Sequence, residues 1–341
     1  MAYNILISIV IPSLNEEKLI EIALKSIRNQ SINQDEIEIL LIDGGSKDRT
    51  REIAKNYNVQ IIDNPKIVPE EAVLIGLNRS TGKYIVFMGA DEELTDKDQL
   101  KKRIEYLNKN TNVKAIMANS LKTPNDYPSL TRYVNSFGDP FSYFVYKFDS
   151  ENMVSSYNLR KMRNIDIDEY FKIYYPEKGN IVPIGDGRVT FDYEYLKNNF
   201  GEKFSYPHFV STMFDEIVYK TGCFGIIKDD FVNHRTTTKF NVYLKKLKFR
   251  VITNLNPKDN ISGYITRTKL NKKLGMRRYL FLFYCLFIPL VLLDSIIYSI
   301  KKRNIIFLLH FIFVYYVILN ILFYIIVKSL KIKTLNKNYG K

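Results

Sequence analysis

Cysteine is scarce in this chain. Its 341 residues hold two, Cys223 and Cys285, far apart. That excludes a disulfide framework and fits a reducing compartment. Histidine is also scarce, at three, and no Cys/His spacing of the zinc type occurs. A leader is not evident: Met1-Ala2-Tyr3-Asn4 has no basic n-region. The apolar run Ile5–Pro12 is too short for a signal peptide and ends in a turn, so it reads as a strand. Acid is the minority charge. Asp and Glu number 36 against 50 Lys and Arg, a net of +14. Such a balance points to nucleic acid, anionic lipid or acidic small molecules as partners. Hydrophobic content is ordinary at 46%, and the length suits one large or two ordinary domains.

Strand and helix patterns alternate from the start. Ile5–Ile11 is a continuous apolar run of the kind buried on both faces of a parallel sheet. Pro12–Glu17 is a loop, and Leu19, Ile22, Ala23, Ser26 and Ile27 recur at helical spacing over Lys18–Asn29. Glu36–Ile42 is a second strand, ending in Asp43-Gly44-Gly45-Ser46. A helix follows over Thr50–Tyr57, capped by Asp48 or Ser46. Val59–Ile62, then a helix over Glu70–Arg79, then Tyr84–Met88 continue the pattern. Short loops between alternating elements predict an α/β fold with a parallel sheet. Lys97–Asn108 reads as a charged surface helix and Val113–Asn119 as a strand.

The run Tyr84–Met88 ends in Gly89-Ala90-Asp91-Glu92-Glu93. Ligands of open α/β sheets sit at the carboxyl ends of the strands. Carboxylates there, beside small residues, suit a divalent cation that carries a phosphorylated ligand. The plainer alternative is a helix N-terminus, where acids favour the dipole.

Five segments in register carry a resemblance. Ser8-Ile9-Val10-Ile11-Pro12-Ser13-Leu14-Asn15-Glu16-Glu17 resembles the opening of family 2 glycosyltransferases. Ser26-Ile27-Arg28-Asn29-Gln30 and Leu41-Ile42-Asp43-Gly44-Gly45-Ser46-Lys47-Asp48-Arg49-Thr50 resemble its next two motifs. Ser80-Thr81-Gly82-Lys83-Tyr84-Ile85 resembles the fourth, and Gly89-Ala90-Asp91 falls where the family carries Asp-x-Asp. The resemblance implies a GT-A fold, with a nucleotide-binding α/β sheet and an acceptor-binding half. It implies Pro12, Leu14, Glu16 and Asp43 for the nucleotide, with Gly89 and Ala90 beside the donor. Asp91 would be the ligand of Mg²⁺ or Mn²⁺. Four positions depart from the family's pattern: Leu14 for Tyr, Gly44 for the second Asp of its Asp-Asp-Gly-Ser loop, Leu74 for Asn, and Gly89 for the first acid of Asp-x-Asp.

On the acceptor side, Ile181–Phe191 resembles the family's Gly-rich strand. Phe214-Asp215-Glu216 with Gly222 resembles its acidic pair on a helix, which implies Asp215, or Glu216 in second place, as general base. His234 falls where the family has a His or Tyr near a strand end. The aromatics of Lys122–Ser150 either form an acceptor pocket or pack an irregular half of the domain.

Lys239–Arg250 is basic and amphipathic, which suits an anionic membrane surface. Tyr279–Ile300 and Asn304–Val327 are then each long enough to span a bilayer of about 20 residues. They read as a membrane hairpin, with a shallow non-crossing hairpin as the competing picture. Asp294 would cost roughly 3 kcal/mol at a bilayer centre. The expected organisation is a catalytic domain over 1–247, a basic juxtamembrane segment over 248–278, a hairpin over 279–327 and a basic tail over 328–341. The expected function is an inverting glycosyltransferase of the cell membrane, its catalytic domain cytoplasmic. It would use a nucleotide-sugar donor, most simply a UDP-sugar, and a lipid-linked or polysaccharide acceptor for the cell envelope. A catalytically degenerate nucleotide-sugar-binding protein on the same scaffold is the alternative. Because the basic residues flank apolar segments, lipid rather than nucleic acid is the expected partner. The composition break near Arg278 predicts that later residues anchor the chain without building the nucleotide site.

Overall fold

The computed structural model describes residues 4–177, 188–236, 238–255 and 272–330. Ten strands form one sheet: β1 Ile7–Ser13, β2 Ile37–Asp43, β3 Gln60–Asp63, β4 Tyr84–Phe87, β5 Glu92–Leu94, β6 Ala115–Lys122, β7 Arg163–Asp166, β8 Phe171–Tyr175, β9 Val189–Asp192 and β10 Phe224–His234. Their order is β3-β2-β1-β4-β9-β6-β10-β8-β7, with β5 paired to β10.

Side chains alternate across a strand, so β1 feeds two cores. Val10 packs on one face with Ala72, Leu74 and Leu77 of the helix Pro69–Arg79. Ile7, Ile9 and Ile11 pack on the other with Ile20, Ala23, Leu24 and Ile27. Those four recur at three- and four-residue spacing along the helix Ile20–Arg28, which also places Glu21 in its first turn and Lys25 and Arg28 in its last, the order that suits the dipole. Truncating fully buried Leu24 to Ala would cost about 2–5 kcal/mol.

The first four strands in sheet order are parallel, as the alternation predicts. The sheet as a whole is mixed. β9 lies antiparallel between β4 and β6, and β10 runs parallel to β6 but antiparallel to β5 and β8. β9 covers the end of the expected Gly-rich strand Ile181–Phe191, but with four residues its antiparallel place in mid-sheet was not legible from periodicity. Most of the Gly-rich run before it lies outside the described residues.

Three further expectations change. The acids after β4 do not open a helix: Glu92–Leu94 form β5. The helix Gln99–Lys109 is not purely a surface helix, because Arg103 is 1% exposed and pairs with buried Asp230, Nε to Oδ2 2.5 Å and Nη2 to Oδ1 2.9 Å. The aromatic segment divides: part of it packs, while Phe141 lines a cavity of about 540 Å³ with Leu247 and Val251. Tyr133 and Phe137 of the helix Ser129–Phe137 join Tyr243, Phe281, Phe307 and Phe313 in a third core.

That third core ties the C-terminal helices to the sheet domain. The helix Phe240–Leu255 runs unbroken through position 247. The expected straight span Tyr279–Ile300 falls on two helices, Lys272–Leu286 and Ile288–Lys302, which meet at 99°. Pro289 lies at the start of the second, where the missing N–H costs no helical bond. By length and composition, Ile305–Ser329 could cross a bilayer.

Candidate active site

The carboxyl ends of β1, β2, β4 and β10 carry Pro12, Asp43, the segment leading to Asp91, and His234, whereas Asp215 and Glu216 lie on a separate helix, Met213–Thr221. Pro12 and Ser13 end β1 beside Ile42 and Asp43 of β2. Asp43 is fully buried. Gly45 takes φ +87°, the left-handed region that favours glycine. In that turn the N–H groups of Gly45 and Ser46 donate to Asp43 Oδ2 at 3.1 and 2.9 Å. Arg51 Nη1 also reaches Asp43 Oδ2, at 3.2 Å, and Asp63 Oδ1 at 2.6 Å. Asp43 thus organises the loop 44–46.

The loop after β1 is pinned to the same segment. Asn15 N donates to Ser46 Oγ at 2.8 Å and Glu16 N to Thr50 Oγ1 at 2.7 Å. Leu14 lies next to Gly44, where its Cδ1 would sit 3.5 Å from an added Cβ. Glu16 faces Asp91. Burial, and after it repulsion from Asp91, pushes its carboxyl up to about 7 despite nearby Lys246.

Past β4, Ala90 is buried and Gly89 is tight against the acids: a Cβ there would lie 2.6 Å from Asp91 Oδ1, the end of a side chain that would have to turn aside. Glu92 folds back so that Gly89 N donates to its Oε2 at 2.9 Å. Burial foremost, with Asp91 adding repulsion, pushes Glu92 up to about 7. Asp91 Oδ2 meets His234 Nε2 at 3.3 Å. Burial alone would raise the Asp91 carboxyl, but His234, Lys246 and a backbone hydrogen bond outweigh it and hold it below the usual range. Burial alone would likewise lower His234, but Asp91 and Glu92 hold it above its usual value.

His234 is itself clamped. Its Nδ1 faces Asn135 Oδ1 at 2.8 Å, and Asn135 Nδ2 donates to the His234 carbonyl at 3.0 Å. An Nδ1–H bonded this way turns Nε2 toward Asp91, where it pairs as Nε2–H with the carboxylate and would become a ligating nitrogen only on giving up that proton to a bound cation. Arg235 N donates to the Asp91 carbonyl at 2.7 Å. Among the described residues no three His, Cys, Asp or Glu side chains cluster to hold a metal. One carboxylate facing one oriented imidazole does fit a divalent cation that takes its other ligands from phosphate and water.

The sequence singled out His234 for the site but not Asn135; Lys246 was read only as part of a basic membrane-facing run, and Tyr127, whose hydroxyl feels burial and then Arg235, Asp91 and Glu16, only as one of a run of aromatics. Each comes from a separate helix or loop, and no local pattern marks it. The acidic pair lies on the helix Met213–Thr221. Asp215 is 4% exposed on its inner side. Glu216 accepts from Thr212 Oγ1 at 3.0 Å and pairs with Lys203 at 2.5 Å. Arg188 is buried, donates to the Ser150 carbonyl, and is attracted by Glu92.

Residues 8–169 match the family model described as Glycosyl transferase family 2. Over 115 residues the chain is 36% identical to an uncharacterized glycosyltransferase of Haemophilus influenzae, covering 31% of this chain and 43% of that one. Over 106 residues it is 34% identical to the dolichyl N-acetyl-alpha-D-glucosaminyl phosphate 3-beta-D-2,3-diacetamido-2,3-dideoxy-beta-D-glucuronosyltransferase of Methanococcus voltae, covering 29% and 33%. The matched stretches thus span less than half of either relative. Among solved structures, S. aureus TarS 1-349 in complex with UDP-GlcNAc aligns with 99% of this chain and 95% of its own, at 13% identity and a TM-score of 0.46.

Proposed function

We propose that the chain is an inverting glycosyltransferase of GT-A type that moves a sugar from a nucleotide diphosphate donor, most simply a UDP-sugar, to a membrane-associated acceptor. The supporting observation is the meeting of Glu16, Asp91 and clamped His234 at the strand ends, within and beside the segment that matches the family model. Pro12, Leu14 and the Asp43 turn would flank the base and ribose. Asp91 and His234 would hold Mg²⁺ or Mn²⁺, which when bound neutralises charge on the leaving diphosphate. Lys246 adds positive charge on the same side. Asp215 would take the proton from the acceptor hydroxyl as that oxygen attacks the anomeric carbon. A lipid-linked acceptor suits the apolar C-terminal helices, and the catalytic part would face the cytoplasm. Gly89, whose missing side chain leaves one acid where the family has two, favours a second reading: a binding protein that has lost turnover.

The deciding experiment is a donor screen with the full chain, following nucleoside diphosphate release with and without Mn²⁺. Release from one donor class that needs both metal and a lipid-linked acceptor is expected. Metal-dependent nucleotide binding without release from any donor would leave the binding-protein reading standing instead.

A further inference from the structure

Many apolar residues of the C-terminal helices lie outside the third core. Among the described residues, 22 of the 30 exposed large apolar side chains lie between Met276 and Leu330. Only 33% of the apolar window in Ile305–Ser329 is buried. Ile305, Leu308, Ile312, Leu319, Phe323 and Leu330 form an outward stripe at helical spacing, while Phe313, Val314, Val317 and Ile318 face the third core. The elbow at Phe287 adds Phe283, Leu286 and Phe287, each more than 60% exposed. An apolar surface of this extent marks a lipid or protein contact.

Three features argue that it does not cross a bilayer. The arm Ile288–Lys302 has 15 residues, or about 22 Å of helix against a hydrocarbon core of about 30 Å. It also meets the preceding helix at 99°. Second, the turn Lys301–Arg303 is fastened to the sheet domain. Lys302 Nζ pairs with Asp149 at 2.5 Å and Glu151 at 2.8 Å, and Asn304 Nδ2 donates to Ser129 Oγ at 3.1 Å. A turn held there cannot lie on the far side of a membrane from the domain.

Third, the last helix is flanked along its length by a charged one. Phe240 lies against Phe313 at one end, their ring centroids 5.5 Å apart, and Lys328 Nζ donates to the Leu255 carbonyl at 3.2 Å at the other. Between these points the helix Phe240–Leu255 carries Lys245, Lys246, Lys248 and Arg250. Lys246 acts on the Asp91 site, and Arg250 pairs with Asp139 at 3.3 Å. Four cations alongside a helix at bilayer depth would be strongly disfavoured.

We infer that residues 276–330 form a monotopic seat that enters one leaflet of an anionic bilayer, with both ends of the last helix on the same side as the nucleotide site. Exposed Lys301, Arg303 and Lys328 stand at the ends of the apolar stripe, where phosphate headgroups would meet them. This inference rests on residues 240–255 and 276–330 and their contacts with Ser129, Asp139, Asp149 and Glu151, and does not depend on sugar transfer.

Topology labelling tests it. Cys223 and Cys285 are buried, so single cysteines can be added at exposed positions of the full chain. Lys301→Cys, Ser329→Cys and the domain control Lys101→Cys would be placed in sealed phosphatidylglycerol-containing vesicles, domain outward. All three should react with a membrane-impermeant maleimide without detergent. Reaction at Lys301→Cys or Ser329→Cys only after detergent would overturn the inference. In a parallel flotation assay, Leu286→Glu, Phe287→Glu and Phe323→Glu together should lower partition onto those vesicles by about tenfold or more with an unchanged circular dichroism spectrum. A wild-type chain that is a stable soluble oligomer and floats with no vesicle would show instead that a second copy covers the stripe.

Discussion

Position 89 offers a direct trial of the acidic strand end. Restoring the family's acid with Gly89→Asp puts a Cβ 2.6 Å from Asp91 Oδ1. The atom that must give way is the end of the Asp91 side chain, so the change turns that carboxylate away from His234. We expect this variant to weaken Mn²⁺-dependent UDP binding in calorimetry, not to strengthen it. Asn135 acts through His234 by fixing which ring nitrogen faces Asp91. Asn135→Ala should therefore lower Mn²⁺ affinity about 10–100-fold, the range typical for partners of metal ligands, while metal-free nucleotide binding changes little. The acidic pair separates by role. Asp215→Asn should lower kcat by about 10²–10⁴ with donor binding intact. Glu216→Gln, whose partner Lys203 is 38% exposed, should cost no more than about 1 kcal/mol of stability and leave turnover within a few-fold. Equal turnover in both variants would place the base elsewhere. Of these residues, Asp91, Glu16 and Asp43 were legible because each sits in a short motif at a strand end. Asn135 and Lys246 were not, since what selects them is distance in space.

The helix Gln99–Lys109 shows what pattern reading misses within an element. Its sequence is strongly polar, and the spacing predicted its extent well, but not that a cation is buried. Arg103 sits inside because Asp230, from β10, meets it with two hydrogen bonds and Gln99 Nε2 donates to Asp230 Oδ1 as well. Removing one member of a buried pair leaves the other charge without compensation, at about 3–5 kcal/mol. Arg103→Met should lower the unfolding free energy obtained from urea denaturation by that amount, whereas Arg103→Met with Asp230→Leu should recover much of the loss. The short parallel strands were read correctly because they alternate with helices over tight loops. Antiparallel β5, β7, β8 and β9 have only three to five residues each, below what a period of two can reveal.

At the scale of the whole molecule, the composition break near Arg278 marks a change of composition but not an independent folding unit, because the third core runs across it. Tyr133 lies against Phe307 and Phe313, and its hydroxyl is 2.7 Å from His310 Nδ1. A chain ending after residue 271 would uncover Tyr133, Phe137 and Tyr243 together. We expect that truncation to aggregate or to lose cooperative unfolding, rather than to yield a soluble nucleotide-binding domain. A monodisperse truncated protein with wild-type UDP affinity would refute this.

The central place of β9 has a consequence for how the chain is made. β4 and β6, both finished by Lys122, have no contact as sheet neighbours until Val189–Asp192 slides between them. At synthesis rates of about 5–20 residues per second, the roughly 70 intervening residues take on the order of 4–14 s. For that interval on the ribosome the nascent sheet has two open edges in its middle, each able to pair with another chain. Slower translation between Lys122 and Val189 should thus increase aggregation of this protein, while slower translation after His234 should leave the sheet's centre already closed.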